Sequence, residues 1–134
     1  MQLRQRFGRP LRLAVIGGGP DSWIGAMHRG AATMDGWFSI AAGVFSSDPA
    51  RSRAAGTALG VNAARSYGDV AEMLRSEAER SEAERSDAID AVAIMTPNDT
   101  HYSFAVAALD AGLDVIGDKQ IGRASCRERV YSSV

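Results

Sequence analysis

The 134-residue chain contains few residues of the types that mark specialised protein classes. Its one cysteine, Cys126, cannot form an internal disulfide, so a reducing compartment, the cytoplasm, is predicted. The chain has only two histidines in addition to that cysteine, and the three residues do not have the spacing of metal ligands. No metal site is predicted. The net charge of -1 argues against a nucleic-acid surface, and the apolar run at residues 13–16 is too short for a signal sequence or a membrane span. We therefore expect neither nucleic acid nor a membrane as a partner.

Short apolar runs alternate with helical patterns along the chain, which is long enough for one domain with its own core. Strands are predicted at residues 11–16, 38–45, 89–95 and 113–117, with a short extended piece near residues 66–67. Helices are predicted at residues 23–34, from Pro49 (capped by Asp48) to Gly60, from about Asp69 to residue 86, and from an Asn98 or Asp99 cap to Gly112. This order predicts an α/β fold with a doubly wound parallel sheet and helices on both faces.

A five-residue unit, "SEAER", occurs twice in succession at residues 76–80 and 81–85. Its acids and arginines are three residues apart, Glu77 with Arg80 and Glu82 with Arg85, as on a polar helix surface. We interpret the repeat as a solvated helix end, with a binding role as the alternative.

Three glycines end the first predicted strand, in "VIGGGPDSWIG". Gly17 and Gly19 allow a tight turn and a close approach of the backbone to a pyrophosphate, which the following helix N-terminus attracts. Gly25 is three positions later than the last glycine of the common GxGxxG pattern. The position after the first strand favours a dinucleotide loop over an ordinary turn.

The end of the second strand is where a dinucleotide-binding sheet recognises the adenosine ribose. Asp48 is expected to cap its helix, since Pro49 follows it. Ser46, Ser47 and Arg51 are suited to a 2′-phosphate, which favours NADP over NAD.

Polar residues follow the two later strands at the same predicted crevice. Thr96, Pro97, Asn98 and His101 form "TPNDTH", and Lys119 comes at the tip of the last strand. Lys119 is a candidate to polarise or deprotonate a substrate hydroxyl. The alternatives are a capped turn, surface histidines at positions 28 and 101, and a surface lysine.

Taken together, "AVIGGGPDSWIGAMH", "AIMTPNDTH" and "VIGDK" resemble the Gfo/Idh/MocA family over residues 11–119. The resemblance implies the N-terminal NAD(P)-binding Rossmann domain of a homo-oligomeric oxidoreductase that acts on CH–OH groups of sugars, cyclitols or related polyols. It places Gly17, Gly19 and the backbone of Trp23 and Ile24 at the pyrophosphate. It further places Thr96, Pro97, Asn98 and His101 beside the nicotinamide, and Lys119 beside the reacting hydroxyl. The stretched glycine loop and Gln120, where the family has proline, depart from the pattern.

The end of the chain differs in character from the rest. Residues 121–130, "IGRASCRERV", equal the translation of a widely used sequencing adapter in one reading frame. We therefore interpret residues 1–10 as a flexible leader, 11–119 as the Rossmann domain and 120–134 as a non-native tail. On this interpretation the C-terminal substrate domain is missing and the fragment is inactive alone. A non-catalytic dinucleotide-binding or sensor module is the alternative, and a methyltransferase is disfavoured because no acid stands clearly at the end of the second strand.

Overall fold

The computed structural model describes residues 8–82, 87–96 and 98–117, in which strands and helices alternate. The predicted tail, Pro97, Lys119 and most of the predicted leader lie outside these residues. In chain order the elements are β1 (Leu11–Gly17), α1 (Trp23–Thr33), β2 (Phe38–Val44), α2 (Pro49–Ala58), a 3₁₀ turn (Ala63–Arg65), α3 (Val70–Glu82), β3 (Ala91–Met95), α4 (Asn98–Asp110) and β4 (Asp114–Gly117). The predicted order is confirmed, with boundaries shifted by a few residues. Along the described ranges, no helix has both the length and the apolar character needed to cross a membrane.

The four strands form one parallel sheet in the order β2-β1-β3-β4. Ser66 makes a parallel bridge to Gly43, on the side of β2 away from β1, so the predicted extended piece adds a stub of a further strand. The chain thus builds outward on one side of β1 and then returns to build on the other side. This reversal opens a crevice beyond the carboxyl ends of the strands, where ligands of such sheets bind.

The core lies on both faces of the sheet because neighbouring β1 side chains point to opposite faces. Leu13 and Val15 pack on one face with Phe45 and with residues of α1 and α2. Ala14 and Ile16 pack on the other face, with residues of α3 and α4. The predicted doubly wound α/β fold is confirmed.

Helix α2 begins and ends as its sequence signals indicate. The Asp48 carboxylate accepts the Ala50 N–H at 3.1 Å, and Pro49 is the first helical residue. Gly60, just past the end, has a φ of 79°, a conformation that favours glycine. Asp48 is therefore the helix cap, as predicted.

Near the start of the "SEAER" repeat, Glu77 contradicts the interpretation of the repeat as a solvated surface. Glu77 is only 2% exposed, and its carboxylate is bound by Arg65 from the 3₁₀ turn. The spacing did predict the contact with Arg80, at 3.6 Å, but it did not show that the carboxylate is buried. The predicted pair of Glu82 and Arg85 lies outside the described side chains.

Arg9, which falls within the predicted leader, is held against the sheet. Its guanidinium makes a bidentate pair with Asp90, with N–O distances of 2.7 and 3.1 Å. The Arg12 N–H donates to the same carboxylate at 2.7 Å. Burial alone would raise the pKa of Asp90, but the hydrogen bonds from Arg9 and from the Arg12 backbone outweigh it and lower that pKa.

We expect Asp90→Asn to lower the free energy of unfolding at pH 7 by about 1–2 kcal/mol, since hydrogen bonds to charged groups are strong but this pair is partly exposed. The depressed pKa means that the contribution is full above the ordinary aspartate value of 3.8 and is lost as the pH falls through the folded-state pKa. Urea unfolding of both proteins from pH 7 into acid measures the difference, which should shrink toward zero. A difference that stays constant into acid contradicts this account.

Candidate functional site

The loop after β1 turns on two adjacent glycines in the left-handed region. Gly17 has a φ of 82° and Gly18 a φ of 64°. A Cβ on Gly17 would lie 2.8 Å from the carbonyl oxygen of Met95 in β3, so the turn packs tightly against the neighbouring strand. Gly19, which the sequence analysis chose for the tight turn, is not among the positive-φ glycines. The positions in this loop that require the left-handed conformation are therefore Gly17 and Gly18.

Helix α1 begins at the end of this loop with two backbone donors unused by the helix. The Ser22 side chain caps the helix by accepting the Gly25 N–H at 3.0 Å, and the Ser22 carbonyl accepts the Ala26 N–H at 2.9 Å. The N–H groups of Trp23 and Ile24, in the first turn, have no intrahelical carbonyl to bind. Together with the helix dipole, they form the kind of end that binds an anion.

Gly25 lets the first turn of α1 lie directly on the glycine loop. A Cβ at this position would be 2.6 Å from the Gly18 carbonyl oxygen and 2.7 Å from its Cα. Such distances are not tolerated between atoms that are not bonded, and both atoms belong to the backbone. The late third glycine of the sequence is thus the position of close helix–loop approach.

Two cavities meet at the carboxyl end of β2. One of about 340 Å³ lies over the ends of β1, β2 and β3 and includes Gly17, Ser46, Ser47 and Thr96 in its wall. The other, of about 470 Å³, lies between the glycine loop and α2 and is lined by residues that include Gly19, Ser46 and Arg51. Ser46 borders both, and its hydroxyl accepts the Asp48 N–H at 3.2 Å.

Some side chains of the segment after β3 line the cavity, and another is buried in the interior. Thr96 and Thr100 line the 340 Å³ cavity, and the Thr100 hydroxyl donates to that of Thr96 at 2.9 Å. Asn98 is the first residue of α4. His101 is 3% exposed, so the alternative of a surface histidine is wrong, and it is not among the residues that line this cavity.

The fold therefore brings most of the described predicted residues to one edge of the sheet, although their side chains differ in exposure. Trp23 and Ile24 present exposed side chains, 75% and 38%, and offer the site their backbone. Five further residues, which were not predicted from the sequence, shape the loop or line the cavities: Gly18, Arg29, Phe45, Asp69 and Thr100. Gly18 could have been found from its place in the middle of the glycine triplet. Arg29 and Thr100 could have been found from their four-residue spacing from Gly25 and Thr96.

Comparisons with known proteins agree with this geometry. A family profile described as "Oxidoreductase family, NAD-binding Rossmann fold", GFO_IDH_MocA, matches residues 11–122. An uncharacterized oxidoreductase, YfiI, from Bacillus subtilis (strain 168) is 42% identical over 116 residues, which is 86% of this chain and 28% of that protein.

Solved structures of oxidoreductases are also similar to this chain. An oxidoreductase from Pseudomonas syringae is 42% identical, with a TM-score of 0.82, over 93% of this chain and 33% of its own. An inositol dehydrogenase homolog from Azotobacter vinelandii, complexed with NADH and myo-inositol, is 39% identical, with a TM-score of 0.78, over 93% of this chain and 33% of its own. The chain spans about a third of the length of these relatives.

Proposed function

The chain belongs to the Gfo/Idh/MocA family of oxidoreductases, with an NAD-binding Rossmann fold, and from that premise we propose that its crevice binds the dinucleotide of a dehydrogenase. The observation that carries the proposal is the glycine loop that leads into the capped N-terminus of α1, beside two cavities at the carboxyl ends of the strands. The pyrophosphate lies on Gly17, Gly19 and the N–H groups of Trp23 and Ile24. The adenosine ribose lies near Ser46 and Ser47.

The nicotinamide lies on the side of Thr96, the residue that β3 delivers to the cavity wall. Pro97, Asn98 and His101 are assigned to the same side by their resemblance to the family motif, although the buried His101 does not line the 340 Å³ cavity. Nicotinamide supplies the hydride chemistry, and the protein orients the ring and excludes water.

The parent protein, we propose, oxidises a CH–OH group of a polyol or sugar. The support is the 39% identical homolog whose structure holds NADH and myo-inositol. Lys119 would receive the hydroxyl proton as the hydride leaves carbon. A non-catalytic sensor of the same fold remains the second candidate, and Lys119 favours the enzyme.

The domain division at residues 10 and 119, the cytoplasmic location and the homo-oligomeric parent belong to the same proposal. The location rests on the lack of cysteine in residues 11–119, which leaves the proposed Rossmann domain without a disulfide. Cell fractionation and size-exclusion chromatography of the parent test the last two.

The 134-residue chain is expected to bind NADPH or NADH weakly and to form neither from polyols or sugars. The chain spans about a third of the length of its relatives, and we propose that the remainder of such a protein covers the cofactor and completes the substrate pocket. Titration of NADH and of NADPH by their fluorescence tests the binding, and absorbance at the reduced nicotinamide band with myo-inositol and NAD or NADP present tests turnover. Absence of binding of both dinucleotides overturns the proposed function, whereas turnover by this chain overturns only its inactivity.

Cofactor choice is proposed to be NADP over NAD because Asp48 is engaged as a cap while Arg51 and Ser46 border the 470 Å³ cavity. Arg51→Ala is expected to weaken NADP binding about tenfold and leave NAD binding unchanged, since only NADP has the 2′-phosphate for a charge-assisted contact. Arg53→Ala, an exposed arginine in the same helix that does not line this cavity, is the control. Tighter binding of NAD by the unaltered chain contradicts the preference.

A further inference from the structure

One arginine of α1 turns back to the glycine loop instead of outward to solvent. Arg29 donates from Nη1 to the Gly18 carbonyl oxygen and also lies 3.5 Å from the Gly19 carbonyl oxygen. The contact spans eleven residues, so it joins the second turn of the helix to the loop that precedes the helix. Burial lowers the pKa of the Arg29 guanidinium, although an arginine remains charged throughout the ordinary pH range.

The Gly18 carbonyl needs a donor at this place. Gly18 is buried, and buried backbone carbonyls are almost always paired. The N–H of Gly25, whose backbone packs against Gly18, is already given to the Ser22 side chain. Three consecutive glycines also have more conformational freedom to lose than any other triplet, so the loop requires an external constraint to keep one shape.

The orientation of the Gly18 carbonyl also determines the direction of the Gly19 N–H. In a planar trans peptide the C=O of one residue and the N–H of the next point in opposite directions. No cis peptide bond occurs among the described residues, so the Gly19 N–H points away from Arg29. Gly19 lines the 470 Å³ cavity between the loop and α2. Pro20 has no N–H, and the Ser22 N–H is used by the Gly19 carbonyl at 2.9 Å, so the loop has few amides left for an anion.

We propose that Arg29 is a positioning residue for the dinucleotide: by holding the Gly18 carbonyl, it fixes the Gly18–Gly19 peptide so that the Gly19 N–H is preset as a pyrophosphate donor. This inference rests on the proposed function for its ligand, but the arrangement of the loop in the free protein does not depend on that function. The guanidinium also places a positive charge behind the loop that receives two phosphate groups. Arg29 itself does not need to contact the ligand.

The test compares three substitutions in the 134-residue chain. Arg29→Met keeps the length of the side chain and removes the donors, Arg29→Lys restores one donor at the same place, and Arg75→Met removes an exposed arginine of α3 as a control. Binding of ADP-ribose, which has the pyrophosphate, is compared with binding of adenosine, which lacks it. ¹H–¹⁵N spectra of the ligand-free proteins follow the Gly18 and Gly19 amides.

Arg29→Met is expected to weaken ADP-ribose binding about tenfold with adenosine binding unchanged, the loss of about one charge-assisted contact. It should also shift or broaden the two glycine amides in the free protein. Arg29→Lys should recover most of both effects, and Arg75→Met should match the unaltered chain. If the unaltered chain binds ADP-ribose and Arg29→Met binds it equally well, or if its loop amides are unchanged, the inference is overturned and the proposed function stands. If the unaltered chain does not bind ADP-ribose, the proposed function falls, and the ligand role of Arg29 falls with it.

Discussion

Replacing Gly25 with alanine is expected to weaken NADH binding by at least about tenfold, because the new methyl group would push the glycine loop away from α1. The added Cβ would lie 2.6 Å from the Gly18 carbonyl oxygen and 2.7 Å from Arg29 Nη1. The arginine side chain can move, but the Gly18 backbone can move only if the loop changes its shape. The loop carries the amides that receive the pyrophosphate, so binding is lost even where the fold survives.

Gly30→Ala is the matched control on the same helix. A Cβ at Gly30 meets no atom within 4 Å, so the substitution adds no clash. It should leave NADH affinity unchanged and raise the free energy of unfolding by about 0.5–1 kcal/mol, the usual difference between glycine and alanine within a helix. NADH titration and urea unfolding of both variants give the two readouts. Equal affinities for Gly25→Ala and Gly30→Ala would refute the packing role of Gly25.

The fold was predictable because its signals are local and agree with one another. Residues 13–16 form an apolar run that ends at glycines, and Asp48 with Pro49 marks a helix start in almost any context. Alternation of such segments leaves few topologies once crossovers are right-handed. The parallel sheet with helices on both faces and the crevice at its carboxyl edge follow from these rules without knowledge of any side-chain contact, whereas the order of the strands was read from the structure.

The details of the site were less predictable because they depend on distances between segments. The sequence shows three adjacent glycines, but not that Gly18 adopts the left-handed conformation and Gly19 does not. The contact between Arg29 and the loop requires the position of α1 over β1. The burial of His101 likewise depends on how α4 lies on the sheet.

Glu77 shows the same limit most clearly, because its neighbours come from three separate segments. Its carboxylate accepts hydrogen bonds from Arg65 Nε at 3.1 Å, the Tyr67 hydroxyl at 2.9 Å and the Ile89 N–H at 3.3 Å. Burial, together with the adjacent carboxylate, raises the pKa of the Tyr67 phenol, which therefore stays protonated as a donor. The network joins α3 to the 3₁₀ turn and to the segment that leads into β3.

We expect Glu77→Ala to lower the free energy of unfolding by about 3–5 kcal/mol, because removal of one partner leaves the buried Arg65 guanidinium without its counter-charge. Arg65 is 8% exposed, so water cannot replace the lost carboxylate. Total stabilities of domains are about 5–15 kcal/mol, so this loss takes a large share. Urea unfolding monitored by circular dichroism measures it.

Two milder variants keep the prediction testable if the alanine variant does not fold. Glu77→Gln retains one acceptor oxygen but not the charge, and Tyr67→Phe removes one donor, a loss of about 1 kcal/mol. The expected order of destabilisation is Glu77→Ala, then Glu77→Gln, then Tyr67→Phe. Glu79→Ala removes an exposed glutamate two residues away on α3 and should change stability by less than about 0.5 kcal/mol. Equal effects of Glu77→Ala and Glu79→Ala would mean that the carboxylate of Glu77 is solvated after all, as the repeat alone suggests.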